Sequence, residues 1–338
     1  MTNKRWVAIG LSIIVLIVSL ILPAISSVFM KDDAKEDNAT HFFSSFFDQG
    51  QSETVIREGN MLERIAVLDI RGQISNQQIS PFMSEGYNHN ALLDQLEQIK
   101  TDTSVKAIIM RVNTPGGGVY ESAELTDKIK EVKDQRSIPV YTVMENMAAS
   151  GGYYISAQSE KIFATEETLT GSIGVIMQGF NVSGLLDKLG IEDMTIKSGD
   201  LKDLGSPTRE NTTEEIAVLQ EIVDGMYNRF IDEIAEGRNM PREDVLELAD
   251  GRIYSGVQAQ AVGLVDALGY FDTALAALEA DYSLTDAQIF QYSGTSLTMF
   301  DQFFLSMRNI FPAQTSTPLD NLNTHDEAPA FKYLYRGL

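Results

Sequence analysis

Lys4 and Arg5 are the only charges before Lys31, and between them and Met30 runs WVAIGLSIIVLIVSLILPAISSVF, Trp6 to Phe29. As a helix this charge-free stretch reaches ~36 Å, enough to cross a hydrocarbon layer of ~30 Å with some tilt. A secretory signal cut near Ala24 or Ser26 is the alternative. The apolar run continues past Pro23 to Val28 and Phe29, which favours a retained transmembrane anchor. On both readings Lys4 and Arg5 keep the N-terminus in the cytoplasm, and everything after residue 30 is expected outside.

The remaining charge is lopsided. The chain of 338 residues carries 26 basic and 48 acidic side chains, a net of −22. Removing residues 1–30 takes away Lys4 and Arg5 and no acid, leaving 24 basic and 48 acidic residues and a net of −24. Anionic lipid repels such a body, so membrane attachment is expected to come from the anchor. A nucleic-acid partner is not expected, because neutralising phosphates takes clustered Lys and Arg. The absence of cysteine excludes disulfides, thiolate metal sites and a cysteine nucleophile. With only His41, His89 and His325, neither a multi-histidine metal centre nor a cofactor is expected. None of the three sits beside a structured motif, His89 reading as part of a polar loop.

The chain divides into a cytoplasmic n-region at 1–5, the anchor at 6–29 and a tether at 30–60. A globular domain follows at 61–295, then a C-terminal helix and flexible tail at 296–338. The tether is polar apart from Phe42, Phe43, Phe46 and Phe47. In the domain, strands are expected over 63–70, 105–112 and 139–145, with helices over 91–99 and 122–135 between them. Shorter strands are expected at KIFA (161–164), GVIM (174–177) and MTIK (194–197), a long helix at 212–236, and shorter helices at 241–249 and 255–263. Strands alternating with amphipathic helices predict an α/β fold around a largely parallel sheet. SLTMFDQFFLSMRNIF (296–311) reads as a further helix, and the chain ends in AFKYLYRGL (330–338).

Four segments could carry chemistry. NTPGGG (113–118) lies between a strand and a helix. It lacks the Lys-Ser/Thr of a phosphate loop and the spacing of a dinucleotide loop, which leaves a structural turn or backbone N–H donors for a developing oxyanion. NMAASGGYY (146–154) places Ser150 at a strand-to-helix junction without a GxSxG pattern, so a helix N-cap and a nucleophile are both open. TIKSGDLKDLGSP (195–207) offers Lys197 and Lys202, each a surface charge or, if desolvated, a base. TLTGSIGVIM (168–177) carries Ser172, a turn serine or a hydroxyl that holds a neutral amine.

The order of NTPGGGVYES, MAASGGYYIS, ETLTGSIGVI and IKSGDLKD strongly resembles the signal peptide peptidase A (protease IV) family, in its short, single-domain form. The likeness runs from about Ile65 to Gly269. It implies a Clp protease/crotonase-like α/β spiral core and a membrane-anchored Ser/Lys endopeptidase that degrades the hydrophobic remnants of signal peptides. By the same resemblance Ser150 is the nucleophile and Lys202 the general base, with Ser172 orienting the lysine. Gly117 and Gly151 supply the oxyanion-hole N–H groups. A homo-oligomeric ring or dome is implied, with Ser and Lys able to come from adjacent protomers. Two other readings stand beside it: a catalytically idle membrane scaffold of the same fold, and a crotonase-type acyl-CoA enzyme, which the anchor disfavours. The tail could fill the peptide groove of its own or a neighbouring subunit, be cut there, or rest elsewhere on the surface.

Overall fold

A computed structural model describes residues 53–76 and 86–292 and the backbone of 332–334. The anchor, most of the tether, the 296–311 helix and the rest of the tail lie outside the described residues. Among those described, no helix is long and apolar enough to cross a membrane.

Strands β1 (Glu53–Arg57) and β2 (Asn60–Arg71) precede helix α1 (His89–Thr101) and β3 (Val105–Thr114). The three-residue strand β4 (Gly116–Gly118) leads directly into α2 (Val119–Arg136), and β5 (Val140–Ala149) into the short α3 (Gly151–Ser156). Then come β6 (Lys161–Ala164), β7 (Leu169–Gly171), α4 (Ser183–Leu189) and a 3-10 turn at Asp200–Asp203. The long α5 (Thr213–Gly237) follows, with α6 (Arg242–Leu248), β8 (Ile253–Ser255), α7 (Gly256–Ala261) and β9 (Ala267–Leu268). Helix α8 (Phe271–Tyr282), β10 (Ala287–Tyr292) and β11 (Lys332–Leu334) complete the order.

Nine of these strands form one sheet in the order β1-β10-β2-β3-β5-β6-β9, with β7 and β8 branching from β5. The pairs from β10 to β9 are parallel, whereas β1 and β8 pair antiparallel with β10 and β7. The architecture is α/β with a mostly parallel sheet, which fits a Clp-protease-like core. Side-chain alternation sorts the strands between two cores. Ala66, Leu68 and Ile70 of β2 join Ile108, Met110 and Val112 of β3 in the larger core, with apolar residues of α1, α2, α3 and α5. Ile65, Val67, Ala107 and Ile109 face the other way, onto Ala274, Leu275 and Leu278 of α8.

The longest helix begins where the sequence expects it, whereas α1 and α2 start two and three residues earlier, at His89 and Val119. In α5 the Thr212 side chain accepts from Glu215 N–H (3.2 Å), while Glu215 accepts from Thr212 N–H (2.7 Å), a reciprocal cap. Two expected strands are absent: neither GVIM nor MTIK contributes one. In MTIK the apolar residues do alternate, but Met194 and Ile196 are 82% and 99% exposed and no strand among the described residues pairs with them. Alternation makes a strand only where a partner edge exists. Conversely, Glu53–Arg57, within the stretch read as a tether, forms the edge strand β1, and α8 and β10 were not expected from the sequence.

Candidate active site

Strands β5 and β7 run parallel with Ala149 opposite Gly171, and each ends there. The next residues are Ser150 and Ser172, which therefore stand side by side at the carboxyl ends of adjacent strands. Both take backbone conformations that side chains rarely adopt, φ 55° and ψ −115° for Ser150 and φ 51° for Ser172. Such backbone costs about 1–3 kcal/mol per residue and persists only where surrounding contacts enforce it. Here Ser150 N–H donates to Gly171 O (2.7 Å), Tyr154 N–H to Ser150 O (2.9 Å), and Ser172 N–H to Arg252 O (2.7 Å).

Ser150 occupies the N-cap position of α3, yet its side chain makes no capping bond. The hydroxyl is thus not committed to the helix backbone. The helix behind it is immobilised by residues the sequence reading passed over. Tyr153 donates to Leu264 O (2.9 Å), and the Tyr154 ring meets Phe230 edge-on at 5.0 Å. Adjacent aromatic residues after a glycine pair were the available signal, but only the packing of α5 and the 264 loop gives them partners.

The glycine segment is a strand rather than a loop. Ile74 N–H donates to Gly116 O (2.9 Å), and Gly118 N–H donates to Ile74 O (2.8 Å). Peptide alternation then turns the N–H of Gly117 to the opposite edge. A β-carbon on Gly117 would overlap the Ile74 carbonyl, so only glycine permits this approach. Gly151 is equally confined: a β-carbon there would lie 2.6 Å from Ser122 Oγ and 3.2 Å from both Gly116 Cα and Gly117 N. The two expected oxyanion-hole glycines are thus neighbours beside Ser150. Along the open edge of β4 runs β11, antiparallel, with Lys332, Tyr333 and Leu334 opposite Gly118, Gly117 and Gly116. Gly116–Gly118 can therefore take a peptide as an added strand.

Lys202 belongs to different surroundings. It lies in the 3-10 turn, exposed, and no hydrogen bond joins it to Ser150 or Ser172. The neighbouring Lys197 is spoken for. Its ammonium donates to Asp203 (2.8 Å) and to Asp200 O (2.9 Å). Asp203 also pairs with Arg209, which reaches Glu215. The Arg209 guanidinium and the Lys197 ammonium hold the Asp203 carboxyl well below the usual range, and Arg209 brings Glu215 down to about 2. Of the two candidate lysines, Lys197 is fixed as a charged strut and Lys202 has no ion-pair partner among the described residues.

His89 corrects its sequence assignment. It opens α1, is 2% exposed, and bonds Tyr87 through Nδ1 (2.7 Å) and Glu124 of α2 through Nε2 (2.8 Å). Burial against Tyr87 and Glu124 of α2, not a polar loop, is its setting. Among the described residues, no group of three or more His, Asp or Glu is placed to hold a metal ion.

The model of peptidase family S49 matches residues 132–285, a span that includes Ser150, Ser172 and Lys202. A candidate signal peptide peptidase SppA of Enterococcus faecium is 46% identical over 294 residues, covering 86% of this chain and 85% of that protein. The chain belongs to the signal peptide peptidase A family. Protease 4 of Salmonella typhi is 34% identical over 212 residues, 63% of this chain but 34% of its own length. The chloroplast serine protease SPPA of Arabidopsis thaliana is 33% identical over 217 residues, again 63% of this chain and 32% of its own. As a signal peptide peptidase A family member, the protein is a serine-type protease.

Proposed function

We propose that this signal peptide peptidase A family protein is a single-pass, membrane-anchored endopeptidase. Its N-terminus lies in the cytoplasm and its catalytic domain outside, where it degrades the apolar stubs of signal peptides. Ser150 is the nucleophile and Lys202 the general base, contributed by a neighbouring protomer of a homo-oligomer. The strongest support is the uncapped Ser150 hydroxyl, held at φ 55° and ψ −115° beside the closely packed Gly117 and Gly151 backbones.

In this reading the peptide lies along Gly116–Gly118 as an added strand, in the manner of β11. Ser150 Oγ attacks the scissile carbonyl while Lys202 Nζ takes its proton. The N–H groups of Gly117 and Gly151 stabilise the oxyanion, an effect worth ~3–4 kcal/mol per donor in comparable sites. The ammonium then protonates the leaving amine, the acyl-enzyme is hydrolysed by the same steps, and Ser172 orients the amine throughout.

A lysine base must be neutral to accept that proton. At an ordinary pKa of ~10.4 only about one in 2,500 is neutral at pH 7, so desolvation is required. Lys202 is exposed in the single chain, and a second copy would bury it. Phe180, Met194 and Ile196 in the same stretch are 78%, 82% and 99% exposed, an apolar surface suited to such a contact.

Hydrolysis of an apolar peptide by the full-length protein in detergent is expected to fall by at least about 10⁴-fold in Ser150→Ala and in Lys202→Ala, with unchanged circular dichroism. Wild-type rates in either variant would refute the assigned dyad.

A further inference from the structure

The strand pairing at β4 also carries information about which peptides fit. Gly118 has no side chain, and the space its β-carbon would take is filled by the Glu121 carboxylate, which folds back from the first turn of α2 over the strand. Glu121 Oε1 accepts the Asn76 N–H (3.3 Å), whereas it is Oε2 that lies over Gly118. Glu121 is partly exposed and has no ion pair among the described residues. The next acid along the helix, Glu124, is already engaged by His89 (2.8 Å) and Tyr120 (3.0 Å).

In an antiparallel pair, residues directly opposite one another point their side chains to the same face, with β-carbons ~4.5–5.5 Å apart. A peptide residue opposite Gly118 therefore aims its side chain at the face where the Glu121 carboxylate stands. The chain's own β11 places a lysine, Lys332, in that register. Its direction runs from Gly118 toward Gly116, the end against which Gly151 packs. The position opposite Gly118 is accordingly upstream of the bond that Ser150 would attack.

We propose that Glu121 is a specificity-determining residue that selects a basic side chain, lysine or arginine, on the peptide residue immediately before the one whose carbonyl Ser150 attacks. This deepens the peptidase reading above and rests on it. The chemistry suits peptides in which a basic segment is followed by an apolar one, the layout of a signal peptide's n- and h-regions. Glu121 would fix the register by charge while the backbone of Gly116–Gly118 supplies sequence-independent hydrogen bonds.

The test uses full-length protein in detergent and internally quenched Leu/Ala peptides carrying one lysine, or one methionine in its place. In wild type kcat/KM is expected to be about fivefold higher for the lysine peptide, the size of a half-exposed charge pair. High salt should shrink that ratio. Moving the lysine along the peptide should move the cut with it, read by mass spectrometry. Glu121→Gln should bring the ratio to about one, and Glu121→Lys should favour a glutamate peptide instead. An unchanged lysine preference in Glu121→Gln overturns the proposal. If both variants lose activity, cuts in wild type that ignore the lysine overturn it. Ser150→Ala run alongside separates the two levels: hydrolysis that persists without Ser150 refutes the peptidase reading, whereas Ser150-dependent hydrolysis blind to the lysine refutes only the Glu121 subsite.

Discussion

The two halves of the proposed dyad sit in opposite environments. Ser150 is 1% exposed, at the end of a central strand, with its backbone bonded on both sides and the adjoining Gly151 packed against Gly116 and Gly117. Lys202 lies on a stretch from about residue 176 to 211 that has few buried side chains, stiffened chiefly by the chain of charges from Lys197 through Asp203 and Arg209 to Glu215. A nucleophile and its oxyanion donors must be fixed to fractions of an ångström, which a packed sheet end provides within one chain. A lysine base needs loss of solvent above all, and here one chain alone does not provide it.

The sharpest way to break that contrast is complementation. Ser150→Ala and Lys202→Ala proteins, each inactive alone, are expected to regain a measurable fraction of wild-type hydrolysis when subunits are exchanged. Mixed oligomers without any recovery would place both residues in one chain and remove the reason for an exposed Lys202.

At the crowded end, Gly151→Ala should lower kcat by about 10²–10³-fold, the loss typical of a displaced oxyanion donor. The added carbon would meet Ser122 Oγ at 2.6 Å and Gly117 N at 3.2 Å, and overpacking of this kind costs about 1–3 kcal/mol of stability. Adding Ser122→Ala relieves the closer contact, so thermal stability should recover while kcat does not. Recovery of both would show that the site tolerates looser packing than supposed here.

The smallest expected effect is at the exposed end. The Asp203 and Glu215 carboxyls titrate lower in the folded chain than when free, Glu215 at about 2 instead of the ordinary 4.5. The stabilisation they give is thus complete above about pH 4.5 and is lost as pH falls toward 2. Amide exchange in residues 197–215 should quicken over that window before the sheet does, and Arg209→Ala should quicken it already at pH 7. Equal protection in both regions across the titration would show that the charge chain does not hold this segment.

The role proposed for Glu121 bears on this contrast differently, since it would register a peptide before Ser150 and Lys202 act. Its role was invisible in the sequence, where GGGVYES shows an acid three residues after a glycine but not that the acid folds back over it.

Much of the scaffold was legible in advance. KIFA, the strands near 63–70 and 105–112 and the helix from Thr212 follow from local periodicity and capping, which depend on neighbours in sequence. The four ordered motifs singled out Ser150, Ser172, Gly117 and Gly151 as candidates through the family they resemble. MTIK shows the limit, because its alternation is real but no strand among the described residues pairs with it. His89 shows another: a histidine between polar residues looked like a loop residue until Tyr87 and Glu124 enclosed it.

By itself the sequence determined the α/β alternation, the chemistry left by the absence of cysteine and the scarcity of histidine, and the identity of the candidate residues. The first two depend on composition and on spacing along one strand or helix, whereas the candidate residues came from the four ordered motifs and the family they resemble. Only the tertiary structure decided that β10 inserts between β1 and β2, that Ser150 and Ser172 end adjacent strands, and that Lys202 remains exposed while Lys197 is tied down. Each of these depends on which distant segments come into contact, and that is set by burying two faces of one sheet rather than by any local pattern.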